Sequence, residues 1–220
     1  MGKASSLPIN HYGIYPRDYS RNYPVAYHRS YPDGKCRQPA NRALVGRRFV
    51  INGRPYVFEA CLGDGGFGAV YRSKMPNGTP VAIKVIMLNN MPRPIMEGRV
   101  QSFLTEVAQL NRLRKETNHV IVIHNFGFDP RAGHAYIIME LGQENLTTLV
   151  LRLQQMTQTP GPAIDIDMIK EFWRQTVSII KTLQKNRIVH MDLKPDNLIL
   201  FGATLKIGDL GIAKKDDALQ

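Results

Sequence analysis

A chain of 220 residues with 29 Lys and Arg against 18 Asp and Glu carries a net charge of +11, and its length suits one large domain or two small ones with a substantial core. A hydrophobic content of 43% and a mean hydropathy of −0.25 are those of a soluble globular protein. No apolar run approaches the ~20 residues of a membrane helix, and no signal-peptide pattern opens the chain.

The two cysteines, Cys36 and Cys61, lack metal-ligand spacing and suggest a reducing compartment. No H-E-x-x-H occurs among the six histidines, so no structural metal is expected. The charge is uneven: residues 1–48 hold nine Lys/Arg against Asp18 and Asp33, a net +7, which leaves +4 for the remainder. Such a basic arm is a candidate for contact with acidic protein, nucleic acid or anionic lipid, although most basic tails only keep a protein soluble. Tyr-Pro recurs at 15–16, 23–24 and 31–32, a step of eight, with Tyr12, Tyr19 and Tyr27 interleaved. Proline at that frequency excludes a helix, so residues 1–48 are expected to be a disordered arm with polyproline-II character. Docking and Tyr phosphorylation are its candidate roles, against the plainer reading of a low-complexity linker. Met1–Ser6 also fits the short myristoylation pattern M-G-x-x-x-S, with basic residues nearby.

Order is expected from Phe49. Two short apolar runs flank Asn52-Gly53, a strong hairpin signal. Gly63, Gly65 and Gly68 then form G-x-G-x-x-G, which alone is a weak motif shared with dinucleotide-binding folds. In those folds the glycines open a helix, whereas Ala69–Lys74 alternates like a strand and stops at Pro76-Asn77-Gly78. The next strand, Val81–Ile86, sets Val81, Ile83 and Val85 on one face and Ala82, Lys84 and Ile86 on the other. A lysine there is costly to bury unless an anion meets it. Val100, Phe103, Leu104, Val107, Leu110 and Leu113 mark an amphipathic helix with Glu106 at the edge of its core face. A helical glutamate is ordinarily solvated, but this one lies 22 residues after Lys84 and favours an ion pair.

Strands are expected over 120–128 and 134–140, ending at Met139-Glu140-Leu141-Gly142. A short helix follows over 146–155 and a loop over 157–162. A long helix then follows Asp165 or Asp167 as its N-cap, with Ile169, Phe172, Trp173, Ile180 and Leu183 packing under the loop beyond it. That loop, Ile188–Leu200, brings His190, Asp192, Lys194 and Asn197 together between apolar walls. The bland reading is a capped turn before a buried strand. The alternative is phosphoryl transfer, which asks for a base near the acceptor hydroxyl, a cation on the transferring phosphate and an oxygen ligand for magnesium. Leu205-Lys-Ile-Gly-Asp209-Leu210-Gly211 follows.

In this order and register the stretches resemble the protein kinases. The resemblance implies an α+β, bilobal fold. A β-rich N-lobe with one main helix would span 49–141, and an incomplete, mainly helical C-lobe 142–220. It implies ATP and Mg2+ as cofactors and proteins as substrates. Gly63, Gly65 and Gly68 would cover the phosphates with their backbone N–H groups. Val70, Ala82 and Ile199 would enclose the nucleotide, with Met139 as gatekeeper and the Glu140–Leu141 backbone reading the adenine edge. Lys84, fixed by Glu106, would hold the α/β-phosphates. Asp192 would accept the substrate proton and Lys194 neutralise the γ-phosphate, while Asn197 and Asp209 bind magnesium.

Within the superfamily the chain most resembles the monopolar spindle dual-specificity kinases. F-V-I-N-G-R-P-Y, the double glycine at 65–66, T-E-V-A-Q-L-N-R-L, M-E-L-G, Met191 in the H-x-D motif and L-K-I-G-D-L-G-I-A carry that likeness. It implies a cytoplasmic or nuclear location at the spindle or kinetochore. Two departures matter. Met191 replaces the Arg that commonly pairs with a phosphorylated activation loop. No A-P-E or later helices follow Gly211, so the chain is expected to be part of a longer protein or a shortened relative, with Trp173 exposed or covered by a partner. The alternative to a Ser/Thr or dual-specificity kinase is a catalytically silent ATP-binding pseudokinase or scaffold module. A nucleic-acid-binding role for the arm ranks third.

Overall fold

The computed structural model describes residues 36–65, 68–157 and 166–210, with the backbone of 214–215. The arm before Cys36, with its Tyr-Pro steps and Met1–Ser6 motif, lies outside the described residues, as do Phe67 and Gly211. A one-turn helix α1 (Pro39–Arg42) precedes the hairpin β1 (Arg48–Ile51) and β2 (Arg54–Val57). Asn52 at φ 49° and Gly53 at φ 76° make the paired left-handed turn that this hairpin requires. A five-stranded antiparallel sheet follows in the order β3-β4-β5-β7-β6. Its strands are β3 (Ala60–Gly65), β4 (Gly68–Lys74), β5 (Pro80–Met87), β6 (Ile123–Asp129) and β7 (His134–Glu140), with helix α2 (Arg93–Leu113) between β5 and β6.

The period-two pattern sorts the sheet into two faces as expected. Val81, Ile83 and Val85 join Tyr56, Phe58, Tyr71, Tyr136 and Ile138 on the outer face. There the β1–β2 hairpin stacks Phe49 on Phe58 and Tyr136 at ring separations of 4.4 and 4.8 Å. Ala82 and Ile86 turn to the other face, against Phe103, Val107, Leu110 and Leu113 of α2. This second core continues without a break into the lower half, through Ile121, Met139, Phe172, Ile179, Leu198 and Leu205.

The lower half consists of α3 (Leu146–Thr157), α4 (Ile166–Lys185), β8 (Ile188–Val189), the hairpin β9 (Leu198–Phe201)–β10 (Thr204–Ile207), and β11 (Lys214–Lys215) on β8. Buried Gln175 of α4 fixes that hairpin. Its Oε1 accepts the Leu205 N–H at 2.7 Å, and its Nε2 donates to the Ala203 carbonyl at 2.9 Å. The Ile121 N–H and the Ile207 carbonyl, 3.1 Å apart, join the hairpin to the segment entering β6.

Four expectations need correction. Residues 36–47 are ordered against the sheet rather than part of a disordered arm: Leu44 and Cys36 enter the outer core, and Cys36 is disulfide-bonded to Cys61. The covalent link and the Asn41 carbonyl's bond to the Tyr71 hydroxyl (2.8 Å) hold a segment with few apolar residues of its own. The same disulfide runs against the reducing compartment that the two cysteines suggested. The buried face of α4 is Met168, Phe172, Gln175, Ile179 and Leu183. Of the five residues expected beneath the loop, only Phe172 and Leu183 are buried; Ile169, Trp173 and Ile180 belong to a neighbouring exposed stripe, Trp173 being 70% exposed. Of the two N-cap candidates, Asp167 sits in the first turn of α4, paired with Lys170 at 3.0 Å, rather than ahead of it, and Asp165 lies outside the described residues.

Trp173→Ser tests this packing. Loss of so exposed a ring is expected to change stability by no more than about 0.5 kcal/mol, while self-association of the chain decreases because the apolar patch shrinks. A chemical-denaturation curve with light scattering would read both. A loss of several kcal/mol would contradict the exposed placement.

Candidate active site

Alternation on β5 and a bulge on β3 build the upper wall of a cleft of about 260 Å3. Cys61 pairs with Tyr71 and Gly63 with Val70, so Leu62 is the extra residue of the bulge, and a bulge re-aims a side chain locally. Leu62, Gly63, Val70 and Ala82 line the roof, Ile199 the floor, and Ile121 and Met139 the back. Glu140, Leu141 and Gly142 form the connecting edge, and Lys84, Asn197 and Asp209 the polar end.

Lys84 is the electrostatic centre. Its Nζ lies 2.8 and 2.9 Å from the two carboxylate oxygens of Glu106 on α2 and 3.0 Å from Asp209 Oδ1, which follows β10. One ammonium therefore ties the sheet, the helix and the lower half together. Burial alone would lower the Lys84 pKa, but Glu106 and Asp209 outweigh it and hold the ammonium above its ordinary range. The Glu106 carboxyl, 1% exposed, is pushed up by burial, with Lys84 pulling it back.

The loop after β8 is folded on itself. Asp192 Oδ2 lies 2.8 Å from Lys194 Nζ. Asn197 Nδ2 donates to the Asp192 carbonyl at 2.8 Å and to Asp192 Oδ2 at 3.3 Å, which leaves Oδ1 as the acceptor face of the amide. Lys194 holds the Asp192 carboxyl below the usual aspartate range. His190 is buried, its pKa lowered by that burial, and its Nδ1 accepts the Asp192 N–H at 3.2 Å. Met191 is exposed with φ 66°, and a thioether there brings no cation.

Most expected site residues thus converge on one cleft, and the exceptions have physical reasons. Gly65 is exposed and does not line it. Gly68 does not either: at φ 142° its missing Cβ would collide with the Val85 carbonyl oxygen, so glycine there permits β4 to approach β5. Asp192 and Lys194 stand outside the lining, beyond Asn197. Glu140 borders the cleft, but its carboxylate accepts the Val122 N–H at 2.8 Å and pairs with Lys206 at 2.7 Å. Sequence reasoning missed Leu62, Ile121, Thr148, Asp196 and the polar run Gln143-Glu144-Asn145. It also missed Gly208, where a Cβ would stand 2.7 Å from Ile121 Cδ1 and 3.0 Å from Ile199 Cδ1. The one available signal was the position of Gly208 directly before Asp209.

The family described as protein kinase domain matches residues 56–218. The chain is 30% identical over 165 residues to the probable serine/threonine-protein kinase mps1 of Dictyostelium discoideum, covering 75% of this chain and 16% of that protein. It is 28% identical over 203 residues to the serine/threonine-protein kinase MPS1 of Saccharomyces cerevisiae, covering 88% and 25%. With the dual specificity protein kinase Ttk of Danio rerio it shares 26% over 178 residues, covering 81% and 17%. The chain thus spans about a sixth to a quarter of the length of these relatives.

Proposed function

The chain belongs to the protein kinase family, and on that premise we propose that its cleft binds ATP with Mg2+ and passes the γ-phosphoryl group to Ser or Thr hydroxyls of proteins. The observation that carries this reading is Lys84 held between Glu106 and Asp209, a cation fixed by two carboxylates where a polyphosphate would lie. The cleft suits the cofactors: its apolar roof and floor leave a slot for a flat base, and its polar end offers oxygen from Asn197 and Asp209. Magnesium, when bound, neutralises charge on the phosphate oxygens. Lys84 meets the α/β-phosphates. Asp192 orients the acceptor hydroxyl and takes its proton, Lys194 compensates the charge on the transferring group, and positioning with charge neutralisation lowers the barrier. Likeness to dual-specificity and Ser/Thr relatives supports Tyr as a secondary acceptor and a place in spindle checkpoint signalling, in the cytoplasm or nucleus.

Nucleotide affinity is expected to fall by at least about tenfold when magnesium is chelated, and Asp209→Ala should remove that dependence. Labelled phosphate should be recovered on Ser and Thr of an acceptor protein. Affinity indifferent to magnesium in the unaltered chain would contradict the assignment of Asn197 and Asp209.

A further inference from the structure

The Cys36–Cys61 disulfide lies directly behind the roof of the cleft. Cys61 points into the outer core with Leu44 and Cys36. Its neighbour Leu62, the bulged residue, packs on the cleft side of the sheet, and Gly63 lines the cleft beside it. A second attachment lies just beyond. The Asp64 carboxylate accepts the Arg37 N–H at 3.0 Å, the Gln38 N–H at 2.9 Å and Asn41 Nδ2 at 3.0 Å. The segment Cys36–Asn41 therefore grips β3 on both sides of Leu62 and Gly63. One grip is covalent, and the other is made largely of exposed hydrogen bonds, which are individually weak.

We propose that this cystine is a thiol–disulfide site whose oxidation state sets how firmly β3 is held and, through Leu62 and Gly63, how tightly the cleft binds nucleotide. The second half rests on the nucleotide reading above. With the bond closed, β3 is anchored in its bulged register before the ligand arrives, and a pre-organised site binds more tightly. With it open, the grip falls to the Asp64 bonds, and part of the binding free energy goes into ordering the roof.

The chemistry balances with a dithiol reductant of the thioredoxin or dithiothreitol class. Its thiolate attacks the Cys61 sulfur, which is the approachable one because Cys36 is 1% exposed. The S–S bond breaks, and Cys36 leaves as a thiolate and takes a proton. The second thiol of the reductant then displaces Cys61, which is protonated in turn. Two electrons and two protons thus pass from the dithiol to the cystine, and the reductant departs as a disulfide. Oxidation runs the same exchange backwards, with a small-molecule disulfide accepting the electrons.

The test measures binding of a non-hydrolysable ATP analogue with Mg2+ to the full chain, oxidised and dithiothreitol-reduced, alongside amide hydrogen exchange of residues 60–65. Thiol titration verifies each state. Reduction is expected to weaken binding about fivefold, the low end of ordinary coupling between two sites, and to accelerate exchange at 60–65. Cys36→Ser and Cys61→Ser should show the reduced-form affinity under both conditions; if either fails to fold, the two redox forms of the unaltered chain still decide. Equal affinity and equal exchange in the two forms would overturn the proposal. Binding in neither form would count against the nucleotide reading instead, and the exchange contrast would then decide whether the cystine holds β3.

Discussion

Asp192→Asn is expected to lower phosphotransfer by about 10³-fold, within the usual range for loss of a positioned general base, while the nucleotide dissociation constant stays within about twofold. Asn keeps the shape and one oxygen of Asp but cannot accept the substrate proton. The unequal effects follow from where Asp192 stands. It pairs with Lys194 and Asn197 at the mouth and is not among the residues that line the cleft. The sign of the pH dependence is also set. Lys194 holds the Asp192 carboxyl below the ordinary aspartate range, so the base stays ionised as pH falls through that range, and the acid limb of kcat/KM due to this group lies below it. Initial rates and equilibrium binding measured on the same preparations check both halves. Transfer unchanged in the variant would remove Asp192 from its role. A parallel loss of nucleotide binding would assign it to the cleft's structure instead.

Lys84→Met carries the second large effect. It leaves Glu106 buried at 1% exposure without its ammonium and takes the same partner from Asp209. Breaking a buried pair by removing one member destabilises by roughly 3–5 kcal/mol, so the variant is expected to melt well below the unaltered chain and to lose phosphotransfer. Its pH dependence distinguishes electrostatics from lost packing. Burial already raises the Glu106 pKa, and without Lys84 nothing comparable opposes that rise. A carboxyl raised in the folded state stabilises the fold while protonated, below its unfolded pKa, and that stability is lost as pH rises through the folded value. The stability gap between Lys84→Met and the unaltered chain should therefore widen from acid toward neutral pH. A gap constant with pH would mean that the methylene stem, rather than the charge, is what matters.

How legible each part was depends on how local its cause is. Asn52-Gly53 dictates a turn from two residues, and the hairpin follows. Lys84 inside an apolar strand poses a local electrostatic problem whose solution had to be an anion, and the period of α2 placed Glu106 where it could meet that need. The phase of α4 cannot be read locally, because two apolar stripes run side by side along it. Met168, Phe172, Ile179 and Leu183 are buried, while Ile166, Ile169, Trp173 and Ile180 are not, and the choice between them lies in what packs against the helix. Cys36 was illegible for a related reason. Its burial depends on Cys61, 25 residues away, and on Asp64 capping a segment too polar to announce itself. Glu140 shows the same limit within the site: its position beside Met139 was readable, but its pairing with Lys206 depends on a hairpin 66 residues further along the chain.

Phosphotransfer, rather than nucleotide holding alone, is the activity proposed for this cleft. Its most direct test is the time course of γ-phosphoryl transfer from labelled ATP to an acceptor protein in the presence of Mg2+, with nucleotide binding measured in parallel on the same sample. Label accumulating on Ser and Thr, and absent with Asp192→Asn, is the predicted result. Firm magnesium-dependent nucleotide binding with no transfer above the Asp192→Asn background would contradict the claim and leave a silent nucleotide-binding module.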